Sequence, residues 1–240
     1  MNEVVTVRDL RRRWKPHKER LNDDLNAQST LIRFHRACSW MARVEAMAEK
    51  EDADLALVSL WIAFNSLYGQ WDQVKREPRP ERDCWRKFVD RVLRLDASKH
   101  VVGALQDHKR LVISLVEDDC LSTLYWRDPA TRGNGRARRM KNATQSQYLA
   151  GSWTMILDEL LDRIYLMRCQ LVHGAATYGG KLNRTSLQHC VRMLRHLLQA
   201  FLDVWIESGA DQDWGLMCYP PLDLQPMAMT QNGWPRRVPK

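Results

Sequence analysis

Apolar residues recur every three or four positions along most of the chain, which is the spacing of one buried face of an α-helix. The pattern predicts six helices, over residues 28–50, 53–71, 84–95, 101–126, 146–173 and 187–205. The second of them, ADLALVSLWIAFNSLYGQW, is apolar around most of its circumference, so we expect it at the centre of the core. Because neither strands with period two nor an internal repeat is visible, the sequence predicts an all-α fold.

The segments outside these helices divide the chain into three parts. We predict a basic N-terminal arm (1–27), a helical domain (28–209) and an irregular C-terminal tail (210–240). Pro16 is expected to end any short helix within the arm. The segment 127–142, RDPATRGNGRARRMKN, is rich in arginine, glycine and asparagine, and it predicts a mobile basic loop inserted in the domain.

Composition narrows the class of protein. The 240 residues are 45% apolar, which is enough for one large core, and a formal charge of +8 favours an acidic partner such as nucleic acid. The six cysteines are scattered without a C-x-x-C motif, which indicates neither a zinc site nor a disulfide framework. No apolar run approaches the roughly eighteen residues that span a bilayer. We therefore expect a cytoplasmic protein that has no membrane contact.

One stretch, YLMRCQLVHG at 165–174, places an arginine inside an apolar face. On a helical wheel Arg168 falls within the apolar stripe of the helix over 146–173, and His173 lies about 140° further round. An unpaired buried guanidinium costs several kcal/mol, so Arg168 needs a partner. A cleft between two copies related by a two-fold axis would bring Arg168 and His173 of both chains together. The alternatives are structural roles. Arg168 would pair with a helix-borne carboxylate, and His173 would cap the helix near Gly174.

The same spacing of arginine and histidine occurs at Arg12–His17 and at Arg184–His189, as expected by chance in an arginine-rich chain. The first pair lies in the polar arm, and the second begins a turn that no apolar helix precedes. Context therefore favours the pair Arg168–His173.

RCQLVHG at the end of a long helix, together with LWIAFNSLYG in an earlier central helix, resembles the HEPN superfamily (higher eukaryotes and prokaryotes nucleotide-binding) over about residues 28–209. The resemblance implies a HEPN-like bundle of long antiparallel helices. It also implies a metal-independent ribonuclease, without cofactor, whose R-x4-6-H motif is composite across a homodimer, with Arg168 and His173 as the catalytic residues. Active members usually carry Asn, Asp or His directly after the arginine, whereas this chain has Cys169.

The reaction implied is transesterification of RNA. A 2′-hydroxyl attacks the adjacent 3′-phosphate and leaves a 2′,3′-cyclic phosphate and a free 5′-hydroxyl. A histidine transfers the protons, and an arginine binds the non-bridging oxygens as they gain charge. Cys169, Asn65 and Tyr68 are possible supporting residues, and we expect Asn65 and Tyr68 to make buried hydrogen bonds behind the site.

The predicted basic loop is a second candidate for RNA contact. Five of its side chains would bind phosphates with release of counterions: Arg132, Arg136, Arg138, Arg139 and Lys141. A solvated insertion without a binding role is the alternative. Similarly, Trp14 and Trp234 lie in basic terminal segments, where we expect either disorder or a contact with RNA or a partner.

These observations and the resemblance together predict a homodimeric endoribonuclease. The resemblance alone implies that it acts in a toxin–antitoxin or antiviral defence system. Two alternatives stay open. The domain is a catalytically inactive module that binds RNA, nucleotide or protein through the same groove, or it is a toxin subunit held inactive by a cognate antitoxin or another defence-system protein.

Overall fold

Ten α-helices carry almost all of the regular structure in the residues that the computed structural model describes, 5–47, 52–128 and 135–219. The all-α prediction is confirmed. A short hairpin joins strands β1 (Trp71–Asp72) and β2 (Glu77–Pro78), which pair antiparallel. The helices are α1 (Val7–Leu21), α2 (Gln28–Glu45), α3 (Ala53–Tyr68), α4 (Glu81–Leu95), α5 (His100–Asp107), α6 (Lys109–Val116), α7 (Thr123–Arg127), α8 (Arg136–Ala150), α9 (Trp153–Val172) and α10 (Arg184–Val204).

The core is built around α3, as its apolar circumference predicts. This helix packs against α2, α4, α9 and α10, and eleven of its sixteen residues are buried. Phe64 is fully buried at its centre, where its ring contacts Trp61 and Tyr68 of the same helix. Phe88 of α4 and Phe201 of α10 approach the same ring, with centroid distances of 6.0 and 5.6 Å. This aromatic cluster fixes α3, and with it one wall of the candidate site.

The N-terminal segment differs from the prediction, because residues 7–21 form α1 and pack on α2. Pro16 lies inside this helix and does not end it, so that prediction is wrong. A capping box between Thr6 and Asp9 stabilises the start of the helix. Trp14 is buried and stacks on Phe34 with centroids 4.5 Å apart, so its interpretation as a disordered or RNA-contacting residue is also wrong. Burial of the apolar face offsets the hydrogen bond that proline removes.

The predicted basic loop is helical over its second half. Residues 136–142 belong to α8, whereas 129–134 lie outside the described part of the chain. Arginine, alanine, methionine, lysine and glutamine all favour helix, and this propensity prevails over the glycine and asparagine that precede them. The predicted helix 146–173 is divided at Gly151, whose φ of 65° is left-handed and ends α8. The long helix therefore begins only at Trp153.

The predicted C-terminal tail is ordered at its start. The last helix continues as a π-helical turn, Trp205–Gly209, after which the chain folds back over the core. Trp214 stacks on Trp205 with ring centroids 4.1 Å apart, and Met217 forms a β-bridge with Gln70. Residues 220–240, which include Trp234, are outside the described ranges. This returning segment, 210–219, reaches the edge of the candidate site.

A histidine pair gives the fold a pH dependence. His108, at the junction of α5 and α6, stacks on His196 of α10 with centroids 3.7 Å apart. Burial lowers the pKa of His196 to about 4, and the charges of His108, Arg195 and Arg192 act in the same direction. The unfolded chain therefore binds more protons than the folded one between about pH 4 and 6.5, so stability falls as the pH falls through this window.

Replacement of His196 by glutamine is expected to reduce this loss of stability. Because the ring is only partly buried, we expect the free energy of unfolding of the wild type to fall by about 1–2 kcal/mol more than that of His196→Gln between pH 7 and 4. Urea unfolding at several pH values measures the difference, with His35→Gln, an exposed histidine of α2, as the matched control. The expectation would be contradicted if the free energy of unfolding depended on pH in the same way in the wild type and in His196→Gln.

Candidate functional site

The C-terminal end of α9 presents His173 to solvent. Gly174 has a φ of 72°, and its N–H donates to the carbonyl of Leu171 at 3.2 Å. The N–H of Ala175 donates to the carbonyl of Gln170 at 2.8 Å, which completes a Schellman motif. Gly174 therefore ends the helix, and His173 is the exposed cap residue, as the alternative of a helix cap near Gly174 expects.

Arg168 lies on another side of the same helix, as the helical wheel predicts. Its half-buried side chain lines a cavity of about 330 Å³ between α3, α9 and the segment 210–219. The guanidinium carbon is 5.8 Å from the centroid of the Tyr165 ring. No carboxylate of the described residues lies within 4.0 Å of this guanidinium, so the alternative of a helix-borne ion pair finds no partner in this part of the chain.

A second cavity of about 270 Å³ adjoins the first. The five residues that line both cavities are Asn65, Gly69, Arg168, Cys218 and Tyr219. We call the two cavities together the Arg168 groove. Its wall is tight at Gly69, where a Cβ atom would lie 2.7 Å from Oδ1 of Asn65, so glycine allows this close approach.

Glu81, the first residue of α4, gathers the polar groups behind the groove. Its Oε1 accepts hydrogen bonds from Nε1 of Trp61 and the hydroxyl of Tyr68, each at 2.7 Å, and from Nδ2 of Asn65 at 3.4 Å. Burial and the adjacent Glu81 carboxylate raise the pKa of Tyr68. Asn65 and Tyr68 thus make the hydrogen bonds that we expected, and the structure brings both to the groove wall beside Arg168.

Glu81 is a site residue that the sequence did not predict. The spacing of Trp61, Asn65 and Tyr68 does indicate that an acceptor is present, because it places three hydrogen-bond donors on one face of a helix. The spacing does not identify that acceptor, because Glu81 lies after the β-hairpin on a different helix.

Cys169 and His173 do not line the Arg168 groove. Burial raises the pKa of Tyr165, and the neighbouring Cys169 thiol acts in the same direction. Within one chain the structure therefore places Arg168, Asn65 and Tyr68 together and leaves His173 on a separate surface.

A buried arginine supports the floor of the groove. Arg33 of α2 is fully buried and donates to the carbonyls of Leu67 at 2.9 Å and Gly215 at 3.3 Å. Burial lowers the pKa of Arg33 to about 10. By bonding to the end of α3 and to the returning segment 210–219, Arg33 holds together two of the groove's walls.

The predicted RNA-binding side chains lie elsewhere. Arg136, Arg138, Arg139 and Lys141 are on α8, which packs on α6 and α9, and Arg132 is outside the described residues. None of the four described ones lines the Arg168 groove, and Nζ of Lys141 is 3.7 Å from a carboxylate oxygen of Glu117.

The two other arginine–histidine pairs have partners for their arginines. Arg12 forms an ion pair with Asp9 at 3.0 Å, and Arg184 forms one with Asp54. Arg168 differs from both because its guanidinium faces a cavity instead of a carboxylate.

Comparisons of the chain with protein-family models, with curated protein sequences and with solved structures found no match. Within residues 5–47, 52–128 and 135–219, no cluster of three or more His, Cys, Asp or Glu side chains is placed to hold a metal ion. Over the same ranges, no helix has both the length and the apolar character that crossing a membrane requires. The chemistry of the groove and of the end of α9 is therefore what indicates a function.

Proposed function

We propose that the protein is a HEPN-type endoribonuclease that cleaves RNA at a site shared by two copies of the chain. The observation that carries the proposal is the state of Arg168, which lines a groove without a carboxylate partner among the described residues, while His173 is exposed five residues later on the same helix. An unpaired guanidinium in a groove is suited to a phosphate, and an exposed imidazole is suited to proton transfer.

A homodimer resolves the separation of the two residues. Arg168 and His173 face different sides of α9, so one chain does not bring them to the same reacting group. A two-fold axis near the end of α9 would place the partner's His173 at the Arg168 groove of the first chain. The same axis places His173 of the first chain at the partner's groove, so that one cleft contains two equivalent arginine–histidine pairs. This arrangement supplies a base, an acid and two positively charged groups.

The reaction follows from these groups. One histidine removes the proton of the 2′-hydroxyl as its oxygen attacks the adjacent phosphorus, and the bond from phosphorus to the 5′-oxygen breaks. The other histidine gives a proton to that departing oxygen. Arg168 binds the non-bridging oxygens, whose negative charge grows in the transition state. The products are a 2′,3′-cyclic phosphate and a 5′-hydroxyl.

The setting that we propose is the cytoplasm, where the protein acts as a toxin or antiviral effector restrained by a cognate antitoxin or another defence-system protein. The second candidate function is a module that binds RNA, nucleotide or protein without cleaving RNA. Cys169 favours this second function, because it lies directly after Arg168, where active HEPN proteins usually carry Asn, Asp or His.

Cleavage in the presence of chelator tests the proposal. The wild type is expected to cut a single-stranded RNA pool at the same rate with and without EDTA, because Arg168 and His173 need no metal for this chemistry. The fragments should carry 2′,3′-cyclic phosphate and 5′-hydroxyl ends, and RNA with 2′-O-methyl groups should stay intact because it lacks the nucleophile. Loss of cleavage in EDTA, or cleavage of the methylated RNA, would contradict the mechanism.

Dilution tests the composite site. The rate of cleavage per chain is expected to fall when the protein is diluted below the dissociation constant of the dimer, as measured by analytical ultracentrifugation, because monomers separate Arg168 from the partner's His173. A monomer that cleaves at the full rate would show that each chain contains a complete site.

A further inference from the structure

Three arginines from different parts of the fold surround the Arg168 groove. Arg36 of α2 lines the first cavity, Arg79 after β2 lines the second, and Arg168 lines both. Glu81 is the one carboxylate among the described residues that line the groove, and its Oε1 already accepts three hydrogen bonds. The groove therefore carries an excess of positive charge.

Arg36 is not neutralised by the described part of the chain. Its Nη1 lies 3.4 Å from the sulfur of Met217, a weak acceptor, and no described carboxylate lies within 4.0 Å of its guanidinium. Arg79 is 4.0 Å from Asp72, so its ion pair is long, and its side chain is exposed. Half-buried guanidinium groups that share a cavity repel each other, and a bound anion removes this cost.

Aromatic side chains border the same groove. Tyr219 lines both cavities with 69% of its surface exposed, and its ring centroid is 5.4 Å from that of Trp71. An exposed aromatic ring beside guanidinium groups is the combination that binds single-stranded nucleic acid, since unpaired bases stack on the ring while the phosphates contact the cations. The bases of a duplex are stacked on one another and do not reach such a ring.

We infer that the Arg168 groove binds single-stranded RNA, with Arg36 and Arg168 on its phosphates and Tyr219 against a base. Arg36 is then an RNA-binding residue on α2, a helix that carries no part of the arginine–histidine motif. The inference rests on the proposed function for the identity of the polyanion as RNA, but it concerns binding and not cleavage.

Binding of an uncleavable RNA tests the inference separately from catalysis. The probe is a fluorescein-labelled, fully 2′-O-methylated single strand of about twelve nucleotides, followed by fluorescence anisotropy over a range of salt concentrations. Arg36→Ala is expected to weaken binding about tenfold, the value of one charge-assisted contact, and to reduce the slope of log affinity against log salt by about 0.7. The same strand in a duplex is expected to bind more weakly than the single strand.

Matched variants separate a lost contact from a damaged fold. Arg192→Ala removes the same charge from an exposed position on α10 that does not line the groove, and it should leave affinity and slope unchanged. Arg36→Lys keeps the charge and should keep the wild-type slope. Tyr219→Ala should weaken binding of the single strand and not that of the duplex.

Each outcome decides the inference. It is overturned if Arg36→Ala binds as tightly as Arg192→Ala, if the wild type does not bind the single strand, or if single strand and duplex bind equally. If binding behaves as expected but the wild type cleaves no RNA, the groove stands and the nuclease proposal fails.

Discussion

His173→Ala is expected to slow RNA cleavage by about 10²–10⁴-fold, because it removes the group that transfers protons in the transition state. Arg168→Ala is expected to slow it by about 10²–10³-fold, because the developing phosphate charge loses its preorganised guanidinium. Single-turnover cleavage of a short labelled RNA at saturating protein gives the chemical rate for each variant. Because both residues act on the same transition state, the double variant should be nearly as active as the slower single variant.

RNA-binding measurements and matched variants show whether the loss of cleavage is due to the catalytic groups themselves. His173→Ala should bind the 2′-O-methylated RNA as the wild type does, since the proposed role of His173 is proton transfer and the phosphates are bound by arginines, whereas Arg168→Ala should bind it more weakly. Arg12→Ala and His17→Ala carry the same changes at a pair with the same spacing in α1, and they should retain full activity. If Arg168→Ala or His173→Ala cleaved RNA at the wild-type rate, the substituted residue would not be catalytic and the proposed mechanism would be wrong.

Phe64→Ala is expected to destabilise the fold strongly, with a loss of about 3–5 kcal/mol in the free energy of unfolding. The ring is fully buried and contacts aromatic side chains of α3, α4 and α10, so alanine leaves a cavity at the meeting point of three helices. A folded domain is stable by only about 5–15 kcal/mol, so a large share of the stability would be lost.

Thermal unfolding followed by circular dichroism measures this loss. For a chain of this length the expected decrease in Tm is about 10 °C. Leu55→Ala is the matched control, because Leu55 is on the same helix with 47% of its surface exposed, and its Tm should decrease by no more than about 2 °C. Equal decreases for the two variants would show that the aromatic cluster is not the centre of the core.

The sequence was sufficient for the helices whose burial is one-sided and continuous. The buried faces of α2, α9 and α10 follow the spacing of three and four, because that spacing aligns apolar side chains on one face whatever that face later contacts. α3 differs, because it is apolar around most of its circumference, and this composition predicts its central position. Gly174 likewise ends α9, because the left-handed conformation that it adopts is a local property of the backbone. The different directions of Arg168 and His173 also follow from helical geometry alone.

Secondary structure predicted from local sequence was wrong where packing against distant residues compensates for a locally unfavourable residue. Pro16 removes a backbone hydrogen bond from α1, yet the helix persists because Trp14 packs on Phe34 of α2. The arginines of the segment 136–142 and the adjacent glycines predict a loop, whereas its residues favour helix and α8 packs on α6 and α9. In both places packing against other helices outweighs a single local signal.

The sequence by itself determined that this protein is helical, that α3 is central, and that α9 carries an arginine on its apolar side and a histidine at its end. Only the tertiary structure decided what surrounds that arginine. Arg36, Glu81 and Tyr219 reach the groove from α2, α4 and the returning segment 210–219, which are far apart in sequence. The physical reason is that periodicity encodes which face of a helix is buried, whereas the elements that cover this face are selected by the packing of the whole chain.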